Sequence, residues 1–191
     1  TRTNAVPYPE AYAYGHGYKP ANVAADFVAL LRQFRPTRIV VTHPADTNPD
    51  HRAAANFVRL AALELARENC RPALDYYVIH FGSWPRPLHY HPEVELEPPP
   101  DLRDDGDWRQ LPLTDEQVTK KYQAIIAHRT QNNTRQYFLT AFARANELFA
   151  AIAPERVPVL PAHAALDWRQ ALRAKTISVS ADEKVPLARS E

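Results

Sequence analysis

The sequence predicts an α/β fold around a largely parallel sheet. Three observations carry that prediction. Apolar residues recur at helical spacing in Asn22 to Phe34 and again after Asn48. Between these stretches lies a short β-branched run, Arg38-Ile39-Val40-Val41-Thr42, which reads as a buried strand. Helix, strand, helix and strand then alternate along the first 81 residues, the order of a sheet whose strands are joined by helices.

Residues 1–20 are rich in Tyr8, Tyr12, Tyr14, Tyr18, Gly15 and Gly17 and show no period. They read as a loop that lines a pocket. The first helix presents Val23, Phe27, Leu30, Leu31 and Phe34 on one face, and Pro36 ends it. After the strand comes His43-Pro44-Ala45-Asp46-Thr47-Asn48-Pro49-Asp50-His51. Asn48 suits an N-cap, Pro49 the first helical position, and Asp50 the positive end of the helix dipole. The second helix is expected from about Asp50 to Glu68, and a second strand from Asp75 to Phe81. Residues 82–113, with Pro98-Pro99-Pro100 and an acidic stretch, read as a long irregular excursion. Thr114-Asp115-Glu116-Gln117 is a capping box that opens a third helix to about Arg129. A fourth helix is expected over Tyr137 to Ala151, and Thr176 to Arg189 alternates weakly.

The chain has 191 residues, enough for one domain with a sizeable core. A net charge of +1 gives no sign of a nucleic-acid partner. Cys70 is the single cysteine, so an intrachain disulfide and a thiolate-rich zinc site are both excluded, and the thiol reads as inert. No apolar run is long enough to span a bilayer. With no signal-like segment at the start, a cytoplasmic location is the expectation. The chain opens on Thr1, lacks methionine, and holds 4 Gly against 18 Pro. This composition leads us to expect that one or more N-terminal strands of the domain lie outside these residues.

His43, Asp46 and His51 fall within nine residues where a strand hands over to a helix, with Asp50 beside them. Imidazole and carboxylate suit zinc, and three protein ligands with one open position make a catalytic site. A plainer reading stands beside this one. His43 then only ends the strand, and Asn48 and Asp50 only cap the helix.

Asn48-Pro49-Asp50-His51-Arg52-Ala53, following a strand, resembles the second motif of the LmbE-like, or PIG-L, zinc N-deacetylases, usually written H-P-D-H-R-A. Val6 to Tyr14 and Phe34 to Pro44 look like the family's segments before that motif. His80-Phe81-Gly82-Ser83-Trp84-Pro85-Arg86-Pro87 resembles a stretch found in some members. Ala127-His128-Arg129-Thr130-Gln131 looks like the end of the family's late helix. The resemblance covers residues 5–150, so 1–153 is expected to be the C-terminal portion of such a domain, with 154–191 an unassigned tail.

The resemblance implies a Rossmann-like three-layer sandwich and a zinc-dependent hydrolase. Its substrate would be an N-acetylglucosamine-type sugar or glycoconjugate, from which water activated by Zn2+ removes the acetyl group. His51 corresponds to a zinc ligand. The family draws its other two ligands and its general base from an early A-H-P-D-D-E motif, which no stretch before residue 38 matches. That motif is expected from a preceding segment or a second chain. Asn48 stands where the family has a His that stabilises the oxyanion or protonates the leaving amine. Asn can donate a hydrogen bond but not a proton near neutral pH. The proton then falls to His43 or His16. Asp50 is expected to orient the site. His43-Pro44-Ala45-Asp46 repeats the H-x-x-D spacing of the early motif, so Asp46 is a second candidate metal ligand beside His51.

Arg52, Trp84, Arg86 and His128 are the candidate substrate-binding residues. Trp84, Arg86, His89, Tyr90 and His91 form an aromatic and basic cluster of the kind that binds sugars, or else pin the loop to the body. A rival reading from another class is a non-catalytic sugar-binding or interaction domain that keeps the fold without a complete metal site.

Overall fold

A computed structural model describes residues 3–131 and 137–153. The described residues are α/β, with three α-helices and a four-stranded mixed sheet. Residues 3–19 form a loop tied by its own backbone: Val6 N–H donates to His16 O, Gly15 N–H to Val6 O and Tyr18 N–H to Asn4 O. Helix α1 (Pro20–Phe34) starts on a proline, whose fixed φ suits the first turn. It stops at Arg35, which turns left-handed at φ 45°. Strand β1 (Arg38–Thr42) leads to α2 (Pro49–Arg67) and then to β2 (Ala73–Tyr77). Phe27 of α1 stacks on Phe57 of α2 at 6.3 Å. Val58 of α2 packs with Val41 of β1 and Tyr76 of β2 in the main core.

Strands β1 and β2 run parallel, as expected. The rest of the sheet corrects the prediction. Its order is β1-β2-β4-β3, and β4 (Asn146–Ala151) is antiparallel to both of its neighbours. The segment read as a helix from Tyr137 to Ala151 is a 3-10 helix (Tyr137–Phe142) followed by β4. Phe138 and Phe142 are four residues apart, as on a helical face, but from Asn146 onward the ladder with β3 imposes the extended form. Asn146, Leu148 and Ala150 are buried while the residues between them are less so, the two-residue period of a strand. Strand β3 (Asp107–Pro112) falls inside the stretch read as irregular. Its side chains are mostly exposed, so no apolar alternation marks it.

Helix α3 (Asp115–Ala127) carries the expected capping box, Thr114 with Gln117. Trp108 of β3 joins the two cores, one around Val41, Val58 and Tyr76 and one around Leu96, Phe142 and Leu148. Asp75 of β2 is buried and paired with Arg38 of β1 and Arg109 of β3. The weak alternation of Thr176 to Arg189 lies outside the described residues. No helix among the described residues is long and apolar enough to cross a membrane.

Candidate functional site

The carboxyl ends of β1 and β2 lie side by side because the two strands are parallel, and open α/β sheets place ligands at such ends. The chain leaves β1 at Thr42, and His43 N–H donates to Tyr77 O at the end of β2 (2.7 Å). Asn48 then caps α2: its Oδ1 accepts the Asp50 N–H at 2.9 Å, and Pro49 fills the first turn. Thr42 Oγ1 donates to His51 O at 2.7 Å, which ties the end of the strand to the first turn of the helix.

Asp46 organises this junction. It is fully buried, and its Oδ1 accepts the Asn48 N–H at 2.9 Å. Its Oδ2 accepts the N–H groups of Ile79 and His80, each at 3.0 Å. Burial alone would raise the Asp46 pKa. The N–H groups of His80, Ile79 and Asn48, with the His51 ring, outweigh that effect and hold the carboxyl below the usual range. Asp46 is thus a charged peg that fastens the β1–α2 turn to the residues after β2.

His51 stands on this peg. Its Nδ1 lies 3.1 Å from Asp46 Oδ2, close enough for an electrostatic contact though not aligned as a hydrogen bond. Its side chain is half-buried, and the ring lies 5.0 Å from that of His80, measured between centroids. His80 packs in turn on Phe138 at 5.3 Å. A carboxylate behind one ring nitrogen leaves the other as a lone-pair donor, the arrangement that metal-binding histidines commonly show. The donor set fits one zinc ligand at His51. Asp46 was expected as a second ligand, but its oxygens are occupied by three backbone N–H groups, so this geometry gives it a supporting place. Among the described residues no group of three or more His, Cys, Asp or Glu side chains is arranged to hold a metal ion.

His43 has a different position from the one expected of a proton donor. It is fully buried, stacked on Trp108 at 5.8 Å and edge-on to Tyr76. Its Nδ1 accepts the Ala45 N–H at 3.1 Å, so the neutral ring carries its proton on Nε2, which has no hydrogen-bond partner. Burial lowers its pKa despite Asp105 and Asp46 nearby. His43 is therefore a neutral core residue that ends the strand. His16 pairs with Asp26 of α1 at 2.7 Å, beside a cavity of about 160 Å³ lined by Val6, Tyr18, Val23, Phe27 and Leu30. The pocket expected beside the tyrosine loop is thus present, with Tyr18 in its wall.

The other candidates divide. Asp50 and Arg52 are exposed in the first turn of α2, next to His51, and Arg52 Nη1 donates to Thr47 O at 3.3 Å. Trp84 donates from Nε1 to Glu97 O at 2.9 Å and packs on Phe142, so its indole pins the loop to the body. Arg86 is exposed and donates from Nε to Ser83 O. Tyr90 stacks on Tyr122 of α3 at 4.1 Å. His128 is the exposed C-cap of α3, and no described contact joins it to His51.

The side chain missed in the sequence is His80. The signal was available: it lies three residues beyond β2, and parallel neighbours bring the segments after their carboxyl ends to one edge. Comparison with protein-family models gives no match, and comparison with curated proteins gives none either. The likeness to the LmbE-like deacetylases therefore rests on the motif residues themselves.

Proposed function

We propose that this chain carries part of the active site of a zinc-dependent N-deacetylase similar to the LmbE-like family, acting on an N-acetylglucosamine-type sugar or glycoconjugate. The observation that carries the reading is the buried Asp46 carboxylate behind Nδ1 of His51, 3.1 Å away, at the carboxyl ends of two parallel strands. In this reading His51 is a zinc ligand through its other nitrogen, and Asp46 fixes the orientation of its ring. Zinc, when bound, supplies a Lewis acid for the acetamide carbonyl and makes water more acidic. Asn48 donates from its side-chain amide to the developing oxyanion, and Asp50 and Arg52 line the approach beside it.

The general base and the remaining ligands come, in this reading, from a further segment or a second chain. The outer edge of β1 suits such a segment. It has no strand partner among the described residues, and Val40 on it is half-exposed. A strand added there would extend the parallel part towards a Rossmann-like three-layer sandwich and cover an edge of the kind that proteins seldom leave bare. A cytoplasmic setting belongs to the same proposal.

The rival is a sugar-binding or interaction domain that keeps the fold without a complete metal site and without catalysis. Incubation of the chain, together with the segment that supplies the remaining ligands, with N-acetylglucosamine conjugates separates the two readings. The deacetylase reading expects acetate release that stops with a chelator and with His51→Ala. Binding without release, or release that His51→Ala leaves intact, contradicts it.

A further inference from the structure

We propose that His80 is a second metal-binding imidazole of this site and shares one divalent cation of the zinc class with His51. The proposal rests on the reading above only in taking His51 as a ligand. It departs from the family motif, which has no counterpart of His80 among its ligands.

Three observations carry it. The first is distance. The His51 and His80 ring centroids are 5.0 Å apart with the planes inclined at 49°. Zinc–nitrogen bonds near 2 Å put the centres of two imidazoles on one tetrahedral ion about 5 Å apart. The observed separation matches that spacing.

The second is shared support. Asp46 Oδ2 faces Nδ1 of His51 and also accepts the backbone N–H of His80. The His80 carbonyl accepts in turn from the N–H and the hydroxyl of Thr47, at 2.7 and 3.0 Å. Both histidines are thus built on one buried carboxylate and one turn, and their spacing is fixed by backbone hydrogen bonds. A pair held in place before the ion arrives gives up little freedom on binding.

The third is the chemistry around the His80 ring. His16 faces a carboxylate at 2.7 Å, and His91 faces one at 3.5 Å. His80 instead lies between an imidazole and the ring of Phe138, with no hydrogen bond or ion pair to either ring nitrogen among the described residues. The His80 ring thus offers a nitrogen that no described side chain engages, beside a ring of the same kind, and imidazole nitrogen is a suitable zinc ligand.

The consequence is a change in the ligand count. With two imidazoles from this chain, one further protein ligand completes a three-ligand centre with an open position.

The test is zinc titration of the full chain, followed by the ring-nitrogen NMR shifts of its histidines and by competition with a chelating dye. His51→Ala, His80→Ala and His80→Phe are measured beside the parent. The Phe variant keeps an aromatic ring against Phe138 and guards against loss of folding. The expected result is a zinc-dependent shift on both His51 and His80 in the parent. Each variant should bind zinc more weakly by more than about tenfold, since even removing a group that merely supports a ligand costs 10–100-fold. Weakening by His51→Ala alone, with no shift on His80, overturns the proposal and leaves the deacetylase reading standing. Zinc that shifts neither ring overturns both.

Discussion

Replacing Asp46 tests whether one carboxylate holds the β1–α2 turn. Its three backbone donors, Asn48, Ile79 and His80, lie at 2.9 to 3.0 Å, and the side chain is fully buried. An orphaned donor costs about 1–3 kcal/mol when water cannot reach it. These donors are only partly buried, so the lower half of that range applies to each, and Asp46→Ala should destabilise the fold by about 3–6 kcal/mol. Asp46→Asn keeps one accepting oxygen. Turned towards Ile79 and His80, the amide points its NH2 at the Asn48 N–H, and the loss should be about 1–3 kcal/mol. Urea unfolding at neutral pH reads both values. The pH dependence follows from the depressed Asp46 pKa. A carboxyl with a lowered folded-state pKa adds stability that is fully present above the unfolded value of about 3.9 and is lost as pH falls through the folded one. The gap between parent and Asp46→Asn should therefore be full near neutrality and close on strong acidification. An Ala variant within about 1 kcal/mol of the parent, or a gap that widens in acid, would refute the reasoning.

Three further substitutions test the packing around the site. His43 is buried and its pKa is lowered, so the unfolded chain binds its proton more readily, and stability falls as pH drops below about 6.5. His43→Phe keeps the stack on Trp108 and should flatten that fall, as read by melting temperature between neutral and mildly acid pH. Asp75→Ala strands Arg38 and Arg109, whose side chains are about half-exposed, so the loss should be about 2 kcal/mol in urea, short of a fully buried pair. A Cβ on Gly106 would stand 2.8 Å from the Ala151 carbonyl oxygen, so Gly106→Ala should cost about 1–3 kcal/mol through displacement of β4 from β3. A Gly106→Ala protein as stable as the parent would contradict that contact.

What the sequence disclosed depended on where the deciding interactions lie. The start of α2 was legible to the residue, because Asn48, Pro49 and Asp50 act within one turn. The capping box of α3 was legible for the same reason. Strand β4 was not. Its apolar residues are also acceptable in a helix, and pairing with β3, more than thirty residues earlier in the chain, selects the extended form. Strand β3 was hidden by its exposed side chains. At the candidate site, the motif singles out His51, while the contact of Asp46 with its ring and the approach of His80 depend on residues distant in the chain. His43 shows the opposite limit. Its spacing suggested a ligand, and its burial against Trp108 gives it a packing role.

The central claim is that His51 binds zinc with Asp46 behind it. X-ray absorption at the zinc edge, on the zinc-loaded protein and its His51→Ala variant, tests it most directly. The expected spectrum shows imidazole scattering at zinc–nitrogen distances near 2 Å in the parent, diminished in the variant. Identical spectra with equal zinc content would contradict it.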